Sequence, residues 1–132
     1  MSRRELREQI FKFVFRVEFH SMEEMTEQEK LFFEDYELEI SEEDADYISK
    51  KSGAILEKLT EIDDMINSHA KGWKTERMSK VDLSIIRVAV YEIMFDESVP
   101  TNVAINEAVE IAKKYGQEES SGFINGVLAK FA

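Results

Sequence analysis

The chain has 132 residues, of which 34% are charged, and a formal net charge of −11 at pH 7. This length fits one domain with its own hydrophobic core, and the five glycines and single proline favour helices. Because the chain has no cysteine, it forms neither disulfides nor thiolate metal sites. No signal-like segment opens the chain, and no uncharged run approaches the roughly 20 residues of a membrane helix, so we expect a cytoplasmic protein.

The acidic residues are concentrated in the middle of the chain. Residues 20–72 hold five basic and sixteen acidic side chains, whereas residues 1–19 hold five against three and residues 73–132 seven against nine. Phosphate backbones are bound mainly by lysine and arginine, so an RNA-binding surface would have to avoid the middle third. The other interpretation is an acidic surface that keeps a small domain soluble.

Apolar spacing predicts four helices in the first half of the chain, over residues 3–19, 27–36, 41–59 and 61–69. Thr26 is the predicted cap of the second helix, because Glu29 can reach back to it, and Ser41 is the predicted cap of the third. The acidic stretch from residue 34 to residue 46 is expected to be a surface loop.

Three further helices are predicted to begin near Lys80, Thr101 and Glu118. The first of them is apolar nearly all round from residue 83 to residue 95, so we expect it to run through the centre of the domain. Ser79 is its predicted N-cap. Gly116 is expected to adopt a left-handed conformation just after the sixth helix.

One narrow polar stripe crosses the apolar helix, at the spacing i, i+4, i+7 and i+11: Lys80, Ser84, Arg87 and Tyr91. A stripe of this kind should reach a groove or a binding partner. The alternative is that Arg87 forms a buried ion pair with Asp82 or Glu119.

Residue patterns typical of catalysis are missing from the sequence. His20 and His69 belong to no metal-ligand motif, and the glycines form neither G-x-G-x-x-G nor a Walker pattern. Carboxylate pairs arise by chance in so acidic a chain. We therefore expect no enzyme activity, no cofactor and no metal site.

Three segments follow one another in the last part of the chain: MSKVDLSIIRVAVYEIMF, VPTNVAINEAVEIAKKYG and SSGFINGVLAKFA. In order and spacing they resemble the C-terminal half of the NusB family of bacterial transcription antitermination factors, and the opening RRELREQIFKFVFRVEF is similar to the family's arginine-bearing first helix. The resemblance implies an all-α, compact bundle of about seven helices in a single domain. It also implies that the chain binds boxA RNA of nascent ribosomal transcripts with the small-subunit ribosomal protein NusE, beside other Nus factors and RNA polymerase.

The resemblance also implies the site residues. Basic residues near the start of the first helix would bind RNA: Arg3, Arg4 and Arg7. Four later residues match family positions that line the RNA and partner surfaces: Asp82, Arg87, Glu119 and Phe123. From the residues alone, the arginines could equally form ordinary helix pairs with nearby glutamates. Phe123 is either a platform on which a base stacks or a core residue.

The chain departs from the family pattern at three points. Phe15 stands where the family often has tyrosine, Gly122 replaces a lysine, and no basic C-terminal tail follows. The first would remove a hydroxyl contact, and the other two imply weaker RNA affinity of the isolated chain and favour binding that is assisted by a partner. Two other functions are weighed against it, namely an acidic helical protein-interaction module without RNA affinity, and a detached accessory domain of an RNA cytosine methyltransferase, which the lack of a linker disfavours. Self-association is left open.

Overall fold

The computed structural model describes residues 1–35 and 39–132. These residues form seven α-helices and two short 3-10 helices, and they contain no strand. The prediction of an all-α fold with about seven helices is confirmed. Contacts divide the chain into two compact units, Met1–Leu56 (unit 1) and Glu57–Ala132 (unit 2), and the single domain stays a prediction. No described helix is both long and apolar enough to cross a membrane.

Unit 1 is built from the first three helices: α1 (Arg3–Phe15), α2 (Met25–Phe33) and α3 (Glu42–Glu57). Their buried faces supply apolar side chains that include the following: Ile10, Phe13, Val14, Phe32, Ile48 and Ile55. The Phe13 and Phe32 rings meet edge to face at 5.6 Å between centroids, a geometry that aromatic pairs favour.

Two predicted boundaries in unit 1 are wrong. The first helix ends at Phe15 and continues as a 3-10 turn over Arg16–Glu18, in which the Phe19 N–H donates to the Arg16 carbonyl at 3.0 Å. The second begins at Met25, before the predicted cap Thr26. It follows a turn that a reciprocal pair closes, in which the Glu24 N–H donates to Ser21 Oγ at 3.3 Å and the Ser21 N–H donates to Glu24 Oε1 at 2.8 Å.

The predicted acidic loop is shorter than expected. Residues 42–46 belong to the start of α3. Ser41 caps this helix as predicted, because its hydroxyl accepts from the Asp44 N–H at 3.1 Å. Glu34, Asp35 and Glu39 are exposed. The predicted end of the second helix, Tyr36, lies outside the described residues.

Unit 2 contains the remaining helices: α4 (Leu59–His69), α5 (Lys80–Phe95), α6 (Thr101–Tyr115) and α7 (Ser120–Ala129). A 3-10 turn, Thr75–Arg77, lies between α4 and α5. As predicted, α5 is central, since it contacts α4, α6 and α7 and its residues from Leu83 to Val90 are all buried. Its predicted cap is also present, because Ser79 Oγ accepts from the Asp82 N–H at 3.1 Å.

Gly116 is needed for a different reason from the one predicted. Its φ of −87° and ψ of −171° are extended rather than left-handed. A Cβ at this position would lie 2.6 Å from both side-chain atoms of Ser120 and 2.8 Å from the Ala112 carbonyl oxygen. Close approach of the start of α7 to the end of α6 therefore excludes any larger residue, whereas Gly72, with φ of 95°, takes the left-handed conformation after α4.

Candidate nucleic-acid interface

The start of α1 presents positive charge from a well-capped helix end. Ser2 Oγ accepts from the Glu5 N–H at 3.1 Å, and Glu5 Oε1 accepts from the Ser2 N–H at 3.0 Å, which completes a capping box. The Met1 amine donates to Asp44 Oδ2 at 2.9 Å, and this hydrogen bond raises the pKa of the amine. Arg3 and Arg4 are exposed just after the cap.

Arg7 differs from the two arginines before it, because only 7% of its surface is exposed. It lies three residues before Ile10 and seven before Val14, both fully buried, and therefore on the buried face of α1. Its RNA contact stays a prediction, which its burial opposes.

A groove of about 610 Å³ lies in unit 1, beside the end of α1. Phe15 and Phe19 line it and meet edge to face at 5.1 Å between ring centroids. Arg16 lies over the Phe32 ring, 5.1 Å from its centroid, and donates through Nη1 to the Gln28 carbonyl at 3.2 Å. Apolar spacing along the first helix did not predict that Phe15 and Phe19 would line a groove.

Arg87 is buried in an ion pair with a partner that the sequence did not suggest. Its Nε donates to Asp63 Oδ1 at 2.8 Å and its Nη2 to Asp63 Oδ2 at 2.7 Å. The two side chains are 8% and 25% exposed. Asp63 is on α4, so the buried ion pair that was weighed for Arg87 is present, and the partner seen here differs from the two that were considered, Asp82 and Glu119.

The polar stripe of α5 therefore turns inward at two of its positions. Ser84 is fully buried and donates its hydroxyl to the Lys80 carbonyl at 2.7 Å, and Arg87 is held by Asp63. A bidentate pair of this kind, with two hydrogen bonds to one carboxylate, fixes the guanidinium inside the fold. The RNA contact of Arg87 stays a prediction, and this pairing opposes it.

The other three later residues come together at one groove of about 440 Å³ in unit 2. Asp82 reaches it from the first turn of α5, Glu119 from the residue before α7, and Phe123 from the first turn of α7. The rest of its wall comes from the connection between α4 and α5: Gly72, Trp73, Lys74, Arg77, Met78 and Ser79. We call this surface the Trp73 groove.

The aromatic side chains of the Trp73 groove form a corner. The Trp73 and Phe123 rings meet at 84°, with 5.9 Å between centroids. Trp73 is 49% exposed, whereas Phe123 is partly buried. Phe123 is therefore neither a plain core residue nor a fully exposed platform, and Trp73 supplies the exposed aromatic surface on which a base could stack.

Charge in the Trp73 groove is balanced within a strongly acidic chain. Lys74 and Arg77 contribute two positive charges, and Asp82 and Glu119 contribute two negative ones. Among the described residues, no group of three or more histidines or carboxylates could hold a metal ion. The groove thus combines a stacking surface, cations for phosphate and carboxylates for base amino groups.

Trp73, Lys74 and Arg77 were missed because they lie in a short connection without apolar periodicity. A signal was available, since the only tryptophan of the chain is followed by two basic residues within four positions. Basic and aromatic side chains interleaved in this way are typical of single-stranded nucleic-acid binding. Apolar periodicity, which identifies the buried faces of helices, gives no signal for residues in such a connection.

Comparison with known proteins agrees with this architecture. The model of the NusB family matches residues 4–132. A transcription antitermination protein NusB from Agathobacter rectalis is 54% identical over 132 residues, which cover 100% of both chains. The structure of T. maritima NusB has a TM-score of 0.86 and 35% identity, covering 100% of this chain and 91% of that one.

A second structural match comes from a crystal structure of a plectonemic RNA supercoil. It has a TM-score of 0.83 and 26% identity, and covers 98% of this chain and 92% of that one. Family model, full-length relative and fold agree over nearly every residue. The chain belongs to the NusB family of transcription antitermination proteins.

Proposed function

We propose that this chain binds boxA RNA in nascent ribosomal transcripts together with the ribosomal protein NusE. In this role it acts without catalysis in the bacterial cytoplasm, where it joins other Nus factors and RNA polymerase in an antitermination complex. Its membership of the NusB family supports the proposal, as does the match to a chain from an RNA-containing crystal.

The observation that carries the proposal is the composition of the Trp73 groove. Single-stranded RNA is read by splaying bases onto aromatic or guanidinium planes and by hydrogen bonds to base edges. Trp73 and Phe123 provide aromatic surface there, Arg77 a guanidinium, and Asp82 and Glu119 acceptors.

Burial divides the candidate residues into two groups. Arg3 and Arg4 are exposed and suited to contact phosphates. Arg7 and Arg87 are buried, so we assign them to the support of the fold. The proposal therefore assigns RNA contacts to each unit by itself. In unit 1 they are Arg3 and Arg4, and in unit 2 they are the residues of the Trp73 groove: Asp82, Glu119 and Phe123, with Trp73, Lys74 and Arg77 added.

A net charge of −11 opposes RNA binding by the isolated chain. A basic partner would extend the positive surface and lower this repulsion. We therefore expect the complex with NusE to bind boxA RNA more tightly than the chain alone.

The test is a fluorescence anisotropy titration at matched salt, with a labelled boxA RNA and a scrambled RNA of equal length. Each RNA is titrated with the chain, with NusE and with their equimolar mixture. We expect the mixture to bind boxA most tightly and to prefer it to the scrambled RNA. Equal affinity of the mixture and of NusE alone for both RNAs would contradict the proposal.

The unit 1 groove supports a second candidate, a protein-interaction module without RNA affinity. Phe15 and Phe19 give that groove an apolar, partly exposed wall beside Lys12 and Arg16. Formation of a stable complex with NusE that gains no RNA affinity in the same titration would favour this candidate.

A further inference from the structure

We propose that Asn67 is a positioning residue for the Trp73 groove, because its side-chain amide holds the connection between α4 and α5 in the shape that ligand binding requires. The inference rests on the proposed RNA-binding function and adds to it a residue that acts through Trp73 and the side chains beside it. Asn67 itself lies in the last turn of α4, outside the groove wall.

The first observation is a hydrogen bond that spans the connection. Asn67 Oδ1 accepts from the Thr75 N–H at 2.9 Å, across a separation of eight residues. Thr75 begins the 3-10 turn that precedes α5. The amide therefore closes a loop whose ends belong to two successive elements, and Trp73 lies within this loop.

The second observation is the exposure of the loop. Its start is fixed, because Ala70 is 1% exposed and its carbonyl accepts from the Trp73 N–H at 3.0 Å. Residues 71–74 are all exposed, and Gly72 among them has a positive φ. A segment with few buried contacts opens locally at a low cost in free energy. A hydrogen bond at the far end of the loop therefore has a large effect on its order.

The third observation is what this hydrogen bond orders. In the turn that begins at Thr75, the Arg77 N–H donates to the Lys74 carbonyl at 2.9 Å. Trp73, Lys74 and Arg77 all line the groove. Fixing the Thr75 N–H thus fixes the backbone that carries one aromatic ring and two cations of the groove wall.

An asparagine suits this position better than an aspartate. Both side chains offer an oxygen acceptor, but a carboxylate in the last turn of a helix opposes the helix dipole. It would also repel the phosphates of an RNA in the groove. The neutral amide of Asn67 supplies the acceptor without either cost.

Order in the free connection lowers the cost of binding. A loop that its ligand must order loses affinity, whereas a loop that is already ordered does not. Loss of the Asn67 acceptor should therefore weaken RNA binding without unfolding the chain, because this hydrogen bond is exposed.

The experiment follows Trp73 and RNA binding in parallel. Trp73 is the only tryptophan of the chain, so time-resolved fluorescence anisotropy of the chain alone reports the local motion of its ring. Titration of labelled boxA RNA with the chain and NusE at matched salt reports binding. We expect Asn67→Ala to increase the fast local motion of Trp73 and to weaken RNA binding roughly threefold to tenfold, with little change in urea unfolding.

Two variants serve as controls. Ser68→Ala removes the hydroxyl of the next residue of α4 and leaves the hydrogen bond from Thr75 to Asn67 in place, so both readouts should match those of the unaltered chain. Asn67→Asp keeps an oxygen acceptor and should keep Trp73 ordered, although its charge lowers RNA affinity.

Thr75→Pro, added to Asn67→Ala, separates positioning from direct contact. Lys74 has φ of −75° and ψ of 144°, the extended conformation that a residue before proline adopts. Thr75 is the first residue of its short helix, a place where proline is tolerated. Proline needs no acceptor and stiffens the chain, so we expect Trp73 order and RNA affinity both to recover.

The contrary outcomes are distinguishable. Unchanged Trp73 motion or unchanged RNA affinity in Asn67→Ala would overturn the inference while the proposed function stands. Recovery of Trp73 order without recovery of affinity in the proline variant would make Asn67 a direct RNA contact and overturn its positioning role. Failure of the unaltered chain with NusE to bind boxA RNA would overturn the proposed function and this inference with it.

Discussion

Helices α1 and α5 both carry arginines beside apolar residues, and they place them in opposite surroundings. Arg3 and Arg4 lie in the first turn of α1, where the side chains are exposed. Arg87 lies in the middle of α5, which contacts α4, α6 and α7 and is buried along most of its length. The arginine in the middle of the apolar helix is held by a carboxylate inside the fold, whereas the two at the start of α1 lie at the surface.

The buried and the exposed arginines should also differ in what their removal costs in folding free energy. Moving a guanidinium and a carboxylate out of water costs free energy, which their mutual attraction roughly offsets. The Arg87–Asp63 pair, at 2.7 and 2.8 Å, therefore adds little net stability, but the loss of one member leaves an uncompensated charge. Exposed arginines carry no such penalty, so their removal should affect binding more than folding.

The largest effect is expected at Arg87. Arg87→Ala should lower the free energy of unfolding by about 3–5 kcal/mol, because Asp63 would remain partly buried without its partner. Urea unfolding followed by circular dichroism measures the loss.

Two controls sharpen this result. Lys50→Ala removes one member of an exposed pair with Asp46 and should cost at most about 1 kcal/mol. The double replacement Arg87→Met with Asp63→Leu should recover much of the stability lost by Arg87→Ala. A loss at Arg87 no larger than that at Lys50 would return Arg87 to the RNA site.

Arg7 tests whether the stability lost on removing an arginine depends on the burial of its side chain or on the helix that carries it. It belongs to α1 but is only 7% exposed, and truncation would remove its packed stem together with buried polar contacts. Arg7→Ala should therefore cost about 1–3 kcal/mol, measured by the same urea unfolding. A loss below about 0.5 kcal/mol, typical of surface substitutions, would show that Arg7 supports the fold no more than an exposed arginine does.

We expect the serine N-caps of α1 and α5 to contribute about equally to stability. Ser2 accepts from the Glu5 N–H and Ser79 from the Asp82 N–H, both at 3.1 Å. Ser2→Ala and Ser79→Ala should each lower the unfolding free energy by about 1 kcal/mol, read from thermal and urea unfolding. Ser68→Ala, an exposed position within α4, is the control and should change it by less than about 0.5 kcal/mol.

Much of this contrast could be predicted from the sequence. The apolar run of α5 and its serine cap follow from local patterns, so the position of that helix was predicted correctly. The partner of Arg87 was not, because Asp63 is 24 residues away and is one of 28 acidic residues, with no local feature that singles it out. Ion pairing depends on how helices approach each other, which periodicity does not encode.

The candidate site likewise contains residues that were assigned from the sequence and residues that were not. Asp82, Glu119 and Phe123 were assigned through the family resemblance, and the structure brings them together in one groove. Trp73 was not predicted, because it lies in the connection between α4 and α5. The shape of that connection depends on Gly72 and on the 3-10 turn that follows. Function assigned by matching helices therefore overlooks side chains that only the folded connections place beside them.

The smallest effect on stability, and the clearest on binding, is expected at Arg4. Because the side chain is exposed, Arg4→Ala should change the free energy of unfolding by less than about 0.5 kcal/mol. If Arg4 contacts a phosphate, its loss should reduce the slope of log affinity against log salt by about 0.7 for single-stranded RNA. The measurement is a boxA titration of the chain with NusE at several salt concentrations.

Lys50→Ala provides the matched control for Arg4, because it removes one exposed positive charge of unit 1 from α3 instead of α1. That variant should keep the wild-type slope, since a charge that makes no phosphate contact releases no counterion. Arg7→Ala, corrected for its unfolded fraction, should also keep it. Identical slopes for Arg4→Ala and wild type would leave the exposed arginines of α1 as solvated helix residues and confine RNA recognition to the Trp73 groove.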